Sequence, residues 1–327
     1  MHHELTAGKV GVFIERDEAA MGERTAAMAA REMMDAAAAG KRTVLWLMAA
    51  PSGFAFYRAF IDQCRKNADL AAVMRRTHFF QFDDYPIGRG DPKFPITFRS
   101  LLETHFFSPL AEVCGPLKHI ELLELEGSGK DDGIARDYAA RVLSFLDEKD
   151  SFFLQIKGIG MDGHWGFHGS ETPLDHAPGI IKVPMKGQNI HQQKIDWPQY
   201  FRTDEDVPRH AYSFTVSAFM KAHRIIDNVP QASKQYSVLA VYGDDTVLNE
   251  VPSSALKKHD NASAVLTEAS SAILSEYRQA LTQTGSPKIS RAMQERLDAL
   301  WDNPANPAAA KENRAVMNAV LTRLGFI

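Results

Sequence analysis

The run Phe152-Phe153-Leu154-Gln155-Ile156-Lys157 leads straight into five glycines, Gly158, Gly160, Gly163, Gly166 and Gly169. A short apolar segment rich in aromatic and branched residues reads as a buried strand, and the glycines behind it call for a tightly folded loop. Glycine accepts positive φ and lets backbone approach a ligand closely. The loop can therefore bring Asp162, His164 and His168 against a small molecule. Open α/β sheets collect ligands just outside the carboxyl ends of their strands, which is where this loop would sit.

The rest of the chain supplies such a sheet. Val10 to Glu15, Thr43 to Leu47, Thr77 to Phe82, His119 to Leu125 and Tyr236 to Tyr242 read as further strands. Between them, helical patterns run from Asp17, a capping residue, to Gly40, and over Phe54 to Asn67, Phe98 to Phe107 and Ala135 to Leu146. Strands alternating with helices predict an α/β fold: a doubly wound, mostly parallel sheet with helices on both faces. Two more helix patterns, Ile289 to Trp301 and Ala308 to Leu324, flank Asn303-Pro304-Ala305-Asn306-Pro307, so an α/β domain over 1–285 and a C-terminal helical extension over 286–327 are expected. The polar stretch Ser170 to Arg209 has weak periodicity, and a connection of that length reads as a functional loop or lid.

Composition narrows the function classes. The 327 residues, 45% of them hydrophobic, can bury a large core, and two cysteines, Cys64 and Cys114, argue against a disulfide framework and fit a reducing compartment. A net charge of -4 gives no general attraction to nucleic acid or anionic lipid. Met1-His2-His3-Glu4 lacks the character of a signal peptide, and no apolar run reaches membrane-spanning length, since Pro51 and Ser52 interrupt Thr43 to Tyr57. A cytoplasmic chain acting on a small molecule is expected, without nucleic-acid or membrane partners and as a homo-oligomer.

Three motifs carry chemistry. Gly158-Ile159-Gly160-Met161-Asp162-Gly163 has the glycine spacing of a dinucleotide fingerprint, but the continuation His164-Trp165-Gly166-Phe167-His168-Gly169 does not form a helix, and no acidic strand end follows about twenty residues on. A nicotinamide or flavin site is disfavoured, and no cofactor is expected. His164 and His168 stand four apart, as zinc ligands on one helix face do, yet the intervening glycines break a helix, so no metal is expected. His168 is balanced between a functional and a hydrogen-bonded structural role. Asp83 and Asp84 leave a buried strand together; they form either a solvated turn, a helix cap, or a pair in which crowding and desolvation raise one pKa. A carboxylate poised that way serves as a general base, although structural ion networks perturb carboxylates too.

Phe82-Asp83-Asp84-Tyr85, then Pro95-Ile96-Thr97-Phe98-Arg99-Ser100-Leu101-Leu102-Glu103-Thr104-His105-Phe106-Phe107, then Gly158-Ile159-Gly160-Met161-Asp162-Gly163-His164 resemble the motif series of the glucosamine-6-phosphate deaminase (isomerase) family. The 6-phosphogluconolactonases are its relatives on the same fold. The resemblance runs from about Val10 to Ala272, and Tyr85 favours the deaminase side. It implies that Asp83 moves a proton between the first two sugar carbons through an enediol-like intermediate. His164, oriented by Asp162, would help open the pyranose ring. Aldose–ketose interconversion needs one proton acceptor beside carbon and one donor at oxygen, and a tuned carboxylate and imidazole supply both. Asp84, Glu171 and His168 are secondary catalytic candidates. Ser52, Gly53, Tyr85, Gly160 and Gly163 are the expected substrate-binding positions, with Lys186, Arg202 and Arg209 as basic candidates for an anionic group.

The chain also departs from the family pattern. The glutamate five residues after the histidine is Gly169 here, with Glu171 two places on. The phosphate loop has Ala50-Pro51 before Ser52 in place of paired glycines, and proline cannot donate a backbone N–H. A lysine expected three residues after Gly243 is Thr246. The resulting expectation is an amino-sugar or sugar-phosphate isomerase/deaminase with a non-standard substrate. A sugar-acid lactonase and a catalytically inactive sugar-binding protein are the alternatives.

Overall fold

A computed structural model describes residues 3–327. In chain order the first half comprises β1 (His3–Ala7), β2 (Val10–Glu15), α1 (Glu18–Ala38), β3 (Arg42–Leu47), α2 (Phe54–Lys66), α3 (Ala68–Arg76), β4 (His78–Gln81), β5 (Asp83–Asp84), α4 (Phe98–Leu102), α5 (Ser108–Cys114), β6 (His119–Glu121) and α6 (Asp131–Leu146). The second half comprises β7 (Ser151–Lys157), β8 (Ile180–Pro184), α7 (Gln188–Asp196), β9 (His210–Phe214), α8 (Val216–Phe219), β10 (Arg224–Val229), α9 (Gln235–Tyr242), β11 (Ala262–Thr267), α10 (Glu268–Thr284), α11 (Arg291–Ala299) and α12 (Pro307–Arg323).

The main sheet has the order β1-β2-β11-β10-β7-β3-β4-β6, antiparallel only at the β1–β2 edge. This is the doubly wound α/β architecture with a C-terminal helical extension that the alternation of elements predicts. β3 and β7 are hydrogen-bonded neighbours, yet β3 leads on to β4 and β6 on one side while β7 leads on to β10 and β11 on the other. The winding reverses there, and the loops leaving the two strands part company. A small antiparallel sheet, β5-β9-β8, stands beside this point and pairs Asp83 with Ser213 and Asp84 with Tyr212.

Two expectations are corrected. Tyr236 to Tyr242 is helix α9, not a strand. Every one of those seven residues is buried, and a short run that is apolar all round reads the same in either conformation. The strand is β10, whose six residues are all buried although Arg224, Asp227 and Asn228 are among them. Each of these three side chains has a partner: Arg224 meets Glu32 at 3.0 Å, the Thr25 hydroxyl donates to Asn228 Oδ1 at 3.0 Å, and Asp227 Oδ2 meets Lys157 at 3.0 Å. The polar stretch from Ser170 to Arg209 also contains regular elements, β8 and α7.

Lys157 and Asp227 are both fully buried, and the Tyr242 hydroxyl donates to Asp227 Oδ2. Removing one partner of such a pair strands a charge in the core. Asp227→Ala is therefore expected to lower the unfolding free energy by about 3–5 kcal/mol in a urea titration, whereas a loss under about 1 kcal/mol would mean that the pair does not hold the sheet centre.

Candidate active site

Four strand ends converge on one cavity of about 550 Å³, its open mouth included. The turn after β3 contributes Met48 to Ser52, the end of β4 contributes Phe82 and Asp83, the glycine loop after β7 contributes Gly160, His164 and Phe167, and the segment after β10 contributes Lys234. α7 closes the remaining side with Gln192, Gln193 and Asp196.

The acidic pair divides into two unlike groups. Asp84 is locked into the scaffold: its carboxylate accepts from the backbone N–H of Tyr85, Phe98 and Arg99 at 2.8 Å each, and from Gln81 Nε2 at 3.1 Å. It therefore holds the first turn of α4 against the end of β4. Burial pushes its pKa up, to about 6, against the pull of those donors. Asp83, 2% exposed, has no hydrogen-bond partner for its carboxyl among the described residues and faces the cavity. Burial first, and the neighbouring Asp84 second, push its pKa well above the usual carboxylate range. Gly166, at φ +62°, makes room for it: a Cβ there would stand 3.0 Å from Asp83 Oδ2.

His164 is fixed from both sides. Asp162 Oδ1 lies 2.6 Å from His164 Nδ1 and also accepts the His164 backbone N–H at 3.1 Å. With Nδ1–H donated to the carboxylate, Nε2 is the nitrogen left for a ligand. Burial opposes ionisation of Asp162, but attraction and hydrogen bonds from His164 together outweigh it, and its pKa ends below the ordinary value. Beneath the ring lies Gly160, where a Cβ would fall 2.1 Å from the imidazole, so no other residue permits this placement.

His168 is elsewhere. It is buried outside the cavity, its Nδ1 accepts from the Val216 N–H at 3.1 Å and its Nε2–H donates to the Thr172 carbonyl at 3.1 Å. Both nitrogens are occupied by backbone, and burial lowers its pKa to about 4, so this is a neutral structural histidine. Tyr85 lies under the cavity rather than in its wall; its hydroxyl donates to Gln193 Oε1, which does line it. Gly163 takes a φ of +94° against Val251 and, like Gly53, does not face the cavity. Lys186, Arg202 and Arg209 are exposed and outside it. Glu171 is exposed, with its carboxyl over Gly169: a Cβ at 169 would be 2.6 Å from Oε2. Ser52 and Gly160 do line the cavity.

The cavity cation is Lys234, 3% exposed, with no carboxylate among the described residues within 4 Å of its ammonium. Burial lowers its pKa, opposed by attraction to Asp196 and Asp162. Sequence reasoning misses it because reading α9 as a strand moves the expected lysine to position 246; Thr246 is exposed there and its backbone N–H donates to Asp244 Oδ1 at 2.9 Å. The usable signal was Arg224 to Val229 followed by Pro230-Gln231-Ala232-Ser233-Lys234, a strand and a short turn ending in a basic residue. Gln192, Gln193 and Asp196 were missed because polar α7 carries no hydrophobic period.

No protein-family model matches the chain. In sequence it is similar to glucosamine-6-phosphate deaminase of Lacticaseibacillus paracasei, 32% identical over 123 residues, which are 38% of this chain and 49% of that protein. A deaminase of the same description from Staphylococcus saprophyticus is 26% identical over 206 residues, 63% of this chain and 77% of that protein. Against the L. paracasei protein the match spans about half of that relative's length. In structure it is similar to a monomeric glucosamine-6-phosphate deaminase, with a TM-score of 0.65 at 18% identity over 80% of this chain and 98% of that one. A 6-phosphogluconolactonase from Thermotoga maritima gives 0.57 at 15% identity, over 78% and 98% of the two chains. The chain has the fold shared by these deaminases and 6-phosphogluconolactonases, and over part of its length its sequence is similar to the deaminases.

Within this fold, Pro51 opens a short 3₁₀ turn, Pro51–Gly53, that feeds α2, and the loss of its N–H is accompanied by side-chain bonding: the Ser52 hydroxyl donates to Gln231 Oε1 at 3.0 Å.

The unpartnered carboxyl of Asp83 has a measurable cost. An unfolded aspartate titrates near 4, and the folded value lies above it, so native stability falls as pH rises from the first value through the second. Asp83→Asn removes that loss. At neutral pH the variant is expected to unfold at a denaturant midpoint equal to or above that of the parent, and below about pH 4 the two should converge. A clearly lower midpoint at neutral pH would contradict the placement of Asp83.

Proposed function

We propose that the cavity binds a sugar phosphate, with an amino-sugar phosphate the preferred class, and carries out aldose–ketose isomerisation coupled to deamination. One observation carries this reading: a carboxyl and an ammonium without a close partner among the described residues, and an imidazole tied down by its Nδ1, face a single cavity, as Asp83, Lys234 and His164 do.

The roles follow from what each group has free. His164 Nε2 exchanges protons with the ring oxygen and opens the pyranose, while Asp162 stabilises the imidazolium that forms in passing. Asp83, ionised, takes the proton from C2 of the open aldose and returns it at C1. The electron pair moves through an enolamine to leave a C2 imine, and water then hydrolyses that imine to a ketose and ammonia. A desolvated carboxylate is a stronger base than one in water, which suits a carbon acid. Lys234 and the Ser52 hydroxyl hold the distal anionic group, and Phe98, Phe167 and Trp197 shield the proton transfer from water.

Incubation with a panel of amino-sugar and sugar phosphates, following ammonia and ketose, tests the reading. Asp83→Asn is expected to lower kcat by about a hundredfold or more, and Lys234→Ala to raise KM by about ten- to a hundredfold with a smaller effect on kcat. Because Asp83 must be ionised, the acid limb of kcat/KM should lie above the ordinary carboxylate value of about 4. Full activity in both Asp83→Asn and His164→Gln would refute the assignment, and faster hydrolysis of a sugar-acid lactone than isomerisation would favour the lactonase reading.

A further inference from the structure

α7 is a weak helix in an exacting place. Its nine residues, Gln188-Asn189-Ile190-His191-Gln192-Gln193-Lys194-Ile195-Asp196, are too few and too polar to hold a helix without tertiary support, and Ile195 is 45% exposed. Yet three of its side chains line the cavity. Much of its support comes from the C-terminal extension. The His191 Nε2–H donates to the Leu300 carbonyl at 3.1 Å, and Lys194 holds Asp204 at 2.7 Å, whose other oxygen accepts from Asn306 at 3.4 Å.

Trp301 links this support to the cation. Its side chain, 1% exposed, meets the His191 ring at 5.6 Å between centroids and the Tyr236 ring at 6.0 Å. His191 immediately precedes Gln192 and Gln193, and Tyr236 stands two residues beyond Lys234. The Tyr236 hydroxyl also donates to the Met317 carbonyl of α12 at 3.3 Å. A single side chain from outside the sheet thus braces both elements that supply the far wall of the cavity. We propose that the C-terminal extension, through the α11–α12 connection and α12, belongs to the substrate-binding machinery, with Trp301 as the positioning residue that sets α7 and Lys234 at the spacing a bound sugar phosphate requires.

The inference rests on the cavity being the substrate site, and two readouts on the full-length chain keep the two readings apart. In Trp301→Ala, amide hydrogen exchange over 188–196 is expected to quicken about tenfold or more while β3 and β7 keep their protection. Since Asp83 and His164 are untouched, KM for the best panel substrate should rise about tenfold with kcat changed less than about threefold, and Trp301→Phe should restore most of both. His191→Ala, which loses the Leu300 bond from the α7 side, should loosen the same segment and serves if Trp301→Ala does not fold. Unchanged exchange over 188–196 in a folded variant, or an unchanged KM, overturns the proposal. If no panel sugar is turned over by the parent chain, the functional reading fails while the exchange measurement still decides the role of Trp301.

Discussion

The hydrogen-bonded ladder between β3 and β7, from Arg42 opposite Ser151 to Leu47 opposite Ile156, is the constraint on which the rest depends. Two parallel strands that run side by side but lead to opposite flanks of a sheet must send their following loops apart, and the gap they leave is a crevice. The Met48 N–H donating to the Ile156 carbonyl at 3.1 Å continues the pairing to the crevice rim. From there the turn with Ser52 goes one way and the glycine loop with His164 goes the other. Shift this register and neither loop faces Asp83.

Within the crevice, chemistry is sorted by which polar groups are satisfied. Asp84 and Asp162 are carboxylates already committed, the first to backbone N–H groups of α4 and the second to His164. Asp83 and Lys234 are buried without such commitment, and burying an unpaired ionisable group is costly. A fold tolerates that cost where the group serves a ligand, which is why the proposed site is drawn around the unpartnered groups rather than the merely buried ones. The two histidines of the glycine loop show the same rule: His164 keeps a nitrogen free, whereas His168 has spent both on backbone.

Much of this was legible in the sequence, for identifiable reasons. β2, α1 and β3 announce themselves through apolar runs and the Asp17 cap, and the glycines of 158–169 forbid anything but a loop. Asp83, Asp162 and His164 stand out as chemistry-bearing residues at strand ends. What stayed hidden depends on partners distant in sequence. β10 carries Arg224, Asp227 and Asn228 inside a sheet, acceptable only because Glu32, Lys157 and Thr25 come to meet them. α9 imitates a strand because every side of it is covered. Both errors displaced Lys234, and α7, polar throughout, gave no period from which its place over the cavity could be read.

The most direct test is a crystal structure of the full chain with a reduced, open-chain amino-sugar phosphate that cannot react. The account predicts the phosphate against Lys234 and Ser52, and the carbons corresponding to C1 and C2 within about 3.5 Å of the Asp83 carboxyl, with the former ring oxygen facing His164 Nε2. A ligand bound with its phosphate away from Lys234, or with those carbons out of reach of Asp83, would contradict it.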